Sequence, residues 1–592
     1  MRNFLDSLDR LGALSNENSI TLWLKRTALI FLFVMTVAAP HSIAATQTAW
    51  LIGMTAWLAA VVFRKIQNQP VEQIQSSNRL KKVLGLLLWA FFVWSAISSL
   101  LSYEPLVSLD RLRGTGLFLI FFFVYHNTRT LHAVRFLAFS LIFSCMVNVL
   151  WMPIERLIGR GVQIEGVQKI GPLGKALLYD GDTLLTVNDI RVHSPEDVAN
   201  AIEKNEISKV KFYRPDFEAV VDVKRADFLP GSASLELLGI ATWSKSHNWR
   251  SKGFYGHYTT YADVLQLILS LVLGLIVAQL GRRRATGDVG RHATGDRRRA
   301  ARDRLREKST KSTLPILLFC LIAMAFALLL TVTRAPQLAF LISAFAIVLV
   351  GASRKLFFVA TAVALPVVLG GLIFLQQSRE VGFFDATDES TLYRLTMWRD
   401  GMRIWTENPR HFIFGVGMDS IQTHWREWRM FDGGRMPMGH FHGMPVQLLA
   451  ERGLPALVIW LSVLAVYLIL LWAAIKKGKA VDEPIDAPAR PFSSTPSFGI
   501  LLGAFGGTIG FFASGLVHYN LGDQEVAMVF YLLMGLSVRS ATTNPPMSAE
   551  SLENSSRVND QDLGGRSAAG NLTFLLRATN SSPDKANKPF RS

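Results

Sequence analysis

Apolar residues in this chain fall into continuous blocks of about 16 to 24, the length of helix that crosses a hydrocarbon core of about 30 Å. A segment in lipid must satisfy its own backbone polar groups, which a helix does alone and strands do only in a closed barrel. The blocks lack the period-two alternation of barrel strands, so helices are predicted. Spans are read near 27–44, 46–63, 83–101, 112–126, 134–152, 257–280, 314–332, 336–351, 356–375, 446–474, 497–517 and 525–538. The fold class expected is an all-α polytopic membrane protein of about 12 transmembrane helices.

The polar segments between blocks differ in charge. Arg64, Lys65, Arg79, Lys81 and Lys82 follow the second span, and Arg129 and Arg135 follow the fourth. An arginine-rich stretch from Arg282 to Arg306 follows the sixth, Arg354 and Lys355 the eighth, and Lys476, Lys477 and Lys479 the tenth. Basic residues accumulate on the cytoplasmic side, so both termini are expected in the cytoplasm and the protein in the inner (cytoplasmic) membrane. The loops 153–256 and 376–445 then lie outside. The expected organisation is helices 1–5 over 1–152, an outer loop over 153–256 and helices 6–9 over 257–375 with a basic cytoplasmic linker at 281–313. An outer loop at 376–445, helices 10–12 over 446–538 and a disordered cytoplasmic tail over 539–592 complete it.

Composition adds little to that picture. Half of the 592 residues are apolar, and the net charge of +17 is accounted for by the loops, so no nucleic-acid partner is implied. Cys145 and Cys320 both fall inside apolar blocks, which argues against a disulfide framework or a thiolate metal site. No cleavable signal peptide is read, because the first apolar block, from near Ala28, is followed at once by a second.

Residues 155–228 change character, with alternating apolar residues, turn signals and one helical stretch. The segment "LLYDGDTLLTVNDIRVHSPEDVANAIEK" resembles a PDZ domain of the bacterial protease-associated type, in Gly181–Asp182, the strand 183–187, the Asn188–Asp189 turn and a helix opened by Ser194. The resemblance implies a small α/β domain with a groove that takes a peptide ligand as an added strand. Gly161, Val162, Gln163 and Ile164 stand where the peptide-binding loop and strand would lie. A folded spacer without a ligand is the plain alternative.

The second outer loop reads "TLYRLTMWRDGMRIWTENPRHFIFGVGMDSIQTHW" and then "MGHFHGMPVQLLAERGLPAL". It resembles the O-antigen ligase and O-antigen polymerase superfamily of membrane glycosyltransferases, in Arg394, Trp398, Pro409, Gly415 and Gly417, then His442, Leu449, Glu451 and Gly453. Gly443 and Val446 stand where the family commonly has Asn and Leu. Thr333, Arg334 and Ala335 resemble a second signature, Gly253, Phe254 and His257 a third, and "HYNLGDQE" at 518–525 suits the last outer loop.

The resemblance implies a GT-C-like membrane body and a glycan donor on undecaprenyl diphosphate, a polyprenyl diphosphate. It implies a lipid or protein acceptor and an inverting reaction without metal or cofactor. Guanidinium groups bind phosphate oxygens bidentately and keep their charge, which suits Arg334 and Arg394 to the departing diphosphate. Histidine is matched to taking a hydroxyl proton near neutral pH, which suits His442. Trp398, Gln447, Glu451 and His257 are expected to bind substrate. Each has a plain rival: Arg334 snorkelling at a helix end, Arg394 in a surface ion pair with Glu389 or Asp400, His442 as an interfacial histidine, Glu451 in the water layer. His440 and His442 offer two metal ligands without a third fixed by spacing.

Other functions remain open to the sequence. An O-antigen polymerase joining repeat units shares the motifs. A transporter or PDZ scaffold would be non-enzymatic, and an intramembrane metalloprotease would need His-Glu-x-x-His, which is absent.

Overall fold

The computed structural model describes residues 2–14, 18–67, 78–214, 217–289, 297–352, 370, 389–436, 439–480 and 496–542, with side chains of 281–312 left aside. The expected ninth span at 356–375 (Gly370 excepted), residues 290–296 of the linker 281–313 and the tail beyond Thr542 lie outside the described residues. Ten of the described helices are long and apolar enough to cross a membrane, so the chain is a multi-pass membrane protein.

A short amphipathic helix, α1 (Arg2–Gly12), precedes the spans α2 (Ser19–Ala38), α3 (Ile43–Ile66) and α4 (Arg79–Leu100). The expected fourth span is broken into α5 (Pro105–Thr115), a 3-10 turn and α6 (Leu119–Asn127). Gly114 and Gly116 at the break are poor helix formers. Span α7 (Leu131–Ile158) then leads into the first soluble insert.

That insert is a six-stranded antiparallel sheet with three short helices. In order come β1 (Arg160–Glu165), α8 (Pro172–Lys175), β2 (Thr183–Val187), β3 (Ile190–Arg191), α9 (Pro195–Glu203), β4 (Ile207–Arg214), β5 (Phe217–Lys224), α10 (Ser234–Leu238) and β6 (Thr242–Ser246). The sheet order is β5-β4-β2-β1-β6, with β3 added to β2. Helix α9 begins with a capping box, the Ser194 hydroxyl on the Asp197 amide and the Asp197 carboxylate on the Ser194 amide. Val162, Ile164, Leu184, Val198, Ile202 and Phe212 close the core together with Leu238 and Ile240 from beyond the expected 155–228.

Strand β1 holds Gly161, Val162, Gln163 and Ile164, and both its edges are paired: with β2 at Val162↔Leu184 and with β6 at Gln163↔Ser244 and Ile164↔Trp243. The edge expected to receive a peptide is therefore filled by the chain's own β6. A five-residue strand reading Thr-Trp-Ser-Lys-Ser carries too little apolar pattern to announce itself in sequence.

The second half of the membrane body comprises α11 (Tyr258–Val289), α12 (Arg297–Leu330) and α13 (Arg334–Gly351). After α14 (Glu389–Thr406), α15 (Pro409–Phe414), α16 (Ser420–His424) and α17 (Met430–Gly434) come α18 (Met444–Ala480), α19 (Pro496–Gly515) and α20 (Gln524–Thr542). Helix α11 is the central post, almost wholly buried from Tyr258 to Leu280. It meets α19 through glycines: a Cβ at Gly503 would lie 2.6 Å from the Leu271 Cα, and one at Gly499 2.7 Å from the Leu275 Cα. Small residues let two backbones approach where lipid supplies no hydrophobic drive to hold helices together.

Candidate active site

The second soluble segment has its own small core of Met397, Ile404, Val416, Phe431, Phe441 and Ala450, which fixes α14 against the start of α18. The Gly415–Gly417 turn docks on that start. The Val416 amide donates to the Ala450 carbonyl and the Gly417 amide to the Glu451 carbonyl, each at 2.9 Å. Gly415 (φ 69°) allows this approach, since a Cβ there would collide with the Glu451 backbone. Inside α18, Gly453 at φ 74° kinks the helix over the Ile413 carbonyl.

Two buried carboxamide and carboxylate groups hold the loops in place. Gln447 Oε1 accepts from the Phe441 amide at 2.8 Å, and Glu451 Oε1 accepts from the Asp419 amide at 3.0 Å. Both side chains thus contact protein backbone around the site. Arg452, next in line and buried, donates to the Tyr519 hydroxyl at 3.1 Å.

His442 is built into the turn ahead of α18 with φ 48°, a left-handed conformation uncommon for a non-glycine residue. Its carbonyl accepts from Trp398 Nε1 at 3.3 Å, its amide donates to His440 Nδ1 at 3.2 Å, and Tyr393 stands edge-on to its ring. Gly443 leaves no room for a side chain: a Cβ would lie 2.9 Å from Trp398 Nε1 and 3.0 Å from the Leu516 carbonyl oxygen. The departure from Asn at this position follows from how closely Trp398 packs here.

The chain between α19 and α20 closes the other side. His518 Nδ1 lies 2.8 Å from Asp263 Oδ2, and the Ser514 hydroxyl donates to Asp263 Oδ1 at 2.6 Å. The Thr260 hydroxyl donates to Asp523 at 2.9 Å. The rings of His440 and His518 are 5.9 Å apart, and those of His440 and His442 4.2 Å. His257 precedes α11, where its Nδ1 accepts from the Thr259 amide at 3.2 Å.

These groups set one another's charge. Burial, with the nearby His440, Arg394, His518 and His257, lowers the His442 pKa to about 3, so its imidazole is neutral. Burial opposes a charge on His518, but the hydrogen bond and charge of Asp263 prevail and raise its pKa. Burial pushes the Asp523 carboxyl up to about 6, against the pull of His518 and Thr260. One end of the bundle therefore gathers a neutral imidazole, a guanidinium and an imidazole held toward its charged form. Among the described residues no group of three or more His, Cys, Asp or Glu is disposed to hold a metal ion.

Residues 319–461 match the O-antigen ligase family. The membrane-glycosyltransferase resemblance of the sequence is borne out at that level. The family implies glycosyl transfer in O-antigen and lipopolysaccharide pathways, in a membrane, with a polyprenyl-linked glycan as donor. No curated protein matches the chain.

The stretch matching the O-antigen ligase family carries Arg334, Arg394, Trp398, His442, Gln447 and Glu451. The structure brings Arg394, Trp398 and His442 together and adds His257 from outside the matched stretch. Arg334 opens α13. Gly506 of α19 packs on Ile347 and Gly510 on Ala339, so α13 runs antiparallel to α19 and its first residue points toward the Ser514 end. Asp263 lies inside the expected sixth span and the sequence assigned it no role, nor did it single out His518. The signal available was a carboxylate inside an apolar span, which is costly without a partner; its partner lies 255 residues away.

Proposed function

We propose that the chain is a glycosyltransferase of the O-antigen ligase type, moving a glycan from undecaprenyl diphosphate to an acceptor hydroxyl on the periplasmic side. The observation that carries this is the neutral His442, locked in a strained turn by Trp398 and facing Arg394 and the Asp263–His518 pair. In the proposed step the acceptor oxygen attacks the anomeric carbon as His442 removes its proton. The bond from that carbon to the diphosphate oxygen breaks, and the diphosphate departs with the electron pair. Arg394, Arg334 and protonated His518 hold its developing charge. Direct displacement inverts the anomeric centre and uses no metal. Trp398, Gln447 and Glu451 act here through position: Trp398 and Gln447 fix the His442 turn, and Glu451 fixes the Gly-x-Gly loop.

Orientation rests on charge. The basic exits of the even-numbered spans put both termini in the cytoplasm of an inner-membrane protein and the His442 end outside. The sheet domain at 160–246 is read as PDZ-like, its strand-addition edge already occupied.

The test is a gene deletion complemented with His442→Ala or Arg394→Ala. Surface glycan disappears and lipid-linked glycan accumulates in both; normal surface glycan in both variants removes the assignment. Long accumulated chains indicate ligase chemistry, and single repeat units indicate the polymerase alternative. A transporter or scaffold would leave purified protein unable to transfer glycan from a lipid-linked donor.

A further inference from the structure

The second soluble segment presents an apolar surface among the described residues. Phe412 and Ile413 of α15 are 39 % and 42 % exposed, and Trp405 of α14 stacks on Phe412 with ring centroids 4.8 Å apart. In water such a patch is a liability. Its level along the neighbouring span accounts for it.

Helix α4 has 22 residues, about 33 Å at 1.5 Å per residue, so it fills a hydrocarbon core of about 30 Å and ends near the core's edge. The chain from Arg410 to Gly417 runs along this end of it. Arg410 donates to the Leu101 carbonyl and lies over the Tyr103 ring, 4.2 Å from its centroid. One helical turn later the Phe414 carbonyl accepts from the Ser98 hydroxyl at 2.7 Å, and the Phe414 ring stacks on Trp94, 5.5 Å away. The chain then returns, and the Val416 carbonyl accepts from the Tyr103 amide at 3.2 Å. At 1.5 Å per residue, Ser98 lies about 5 Å and Trp94 about 10 Å below Leu101 along α4. The segment dips and comes back.

Irregular backbone at membrane depth is tolerated only where protein satisfies its polar groups. That condition is met. Ser98 serves the Phe414 carbonyl, the Ala450 and Glu451 carbonyls receive the Val416 and Gly417 amides, and the Ser108 hydroxyl donates to the Met418 carbonyl at 2.8 Å. His411 is buried, its Nε2 2.8 Å from the Tyr103 hydroxyl. The inner face is thus sealed against α4 and α18. The outer face carries Phe412 and Ile413, and α4 itself exposes Val93, Ile97 and Leu100, the side a span turns to lipid.

We propose that residues 409–417 form a re-entrant hairpin whose Phe412–Ile413 face lies among the acyl chains of the leaflet at the His442 end. Trp405, stacked on that face, suits the headgroup level where tryptophan rings collect. Because the Gly415–Gly417 turn docks on Ala450 and Glu451, the hairpin ties the start of α18 to the membrane. The inference stands whether or not the proposed glycosyl transfer does.

The test uses the full chain in liposomes, with Cys145 and Cys320 replaced by alanine. Nitroxides at Phe412→Cys or Ile413→Cys are read by power-saturation electron paramagnetic resonance against oxygen, which concentrates among acyl chains, and a water-soluble nickel chelate. Ile97→Cys on α4 and Lys245→Cys on the exposed strand β6 supply the lipid and water references. The oxygen-to-nickel ratio at both hairpin sites is expected to match Ile97 and to exceed Lys245 several-fold. A ratio equal to that of Lys245 overturns the proposal, and protection from both reagents, which means that protein covers the face, overturns it too. Unmodified protein gives a second reading should a labelled variant fail to fold. Phosphatidylcholine with a photoactivatable diazirine on its acyl chain should label the tryptic peptide that begins at His411; labelling of α4 without that peptide refutes the hairpin.

Discussion

At the scale of single residues, the site depends on groups whose charge is fixed by neighbours rather than by type. In the proposed mechanism His442 acts unprotonated, so activity is expected to fall as pH drops through its pKa. In the free protein that pKa is about 3. A bound diphosphate offsets the nearby cations and raises it, so the acid limb of kcat is expected above that of kcat/KM. In the same proposal His518 acts protonated, and its raised pKa is expected to place the basic limb of kcat/KM above the ordinary histidine range. Asp263→Asn removes the group that raises it, and a pH profile should show that limb moving to lower pH; an unmoved limb would remove His518 from the reaction. Gly443 gives a second outcome. Restoring the family's Asn there pushes a side chain into Trp398 and the Leu516 carbonyl. Overpacking of this kind costs about 1–3 kcal/mol, and because it displaces the His442 turn, transfer should fall more than tenfold while membrane insertion persists.

At the scale of elements, two packings decide what the helices and strands can do. The α11–α19 contact is a glycine seam that holds Asp263 beside Ser514 and His518. Gly503→Leu would force the backbones apart; a lowered melting temperature together with lost transfer is expected, and full activity would show that the seam does not set the site. The pairing of β6 with β1 is the second. Ligand-binding strands in peptide-recognition domains need an open edge, and here Ile240 and Trp243 help seat the chain's own strand on it. The turn motifs in this insert were legible from sequence, including the helix started by Ser194, because capping chemistry is local. The occupied edge was not, because strand pairing joins residues some eighty positions apart.

At the scale of the whole molecule, the helical spans divide the protein into two polar ends. The His442 cluster lies at one. Helix α20 leaves that end at Gln524 and rises about 22 Å, at 1.5 Å per residue, to Arg539, whose guanidinium donates to the Arg129 carbonyl at 2.6 Å at the other. With Cys145 and Cys320 replaced by alanine, Lys245→Cys should label with a membrane-impermeant maleimide in intact spheroplasts, and Lys477→Cys only after lysis. The reverse pattern would invert the topology and put the chemistry on the cytoplasmic side.

The sequence by itself determined the ten spans seen among the described residues, the basic segments that follow several of them and the short motifs that hold Arg394, Trp398 and His442, because hydropathy, loop charge and turn chemistry act over a few residues. It also carried Arg334 and the glycine turns as local strings. The tertiary structure alone decided that Asp263 reaches His518, that β6 fills the edge of β1, that Glu451 and Gln447 face backbone amides and that Phe414 stacks on Trp94. Each of these is a contact between distant segments. The free energy of burying a charge or a strand edge depends on what packing brings to it, and no window along the chain contains that partner.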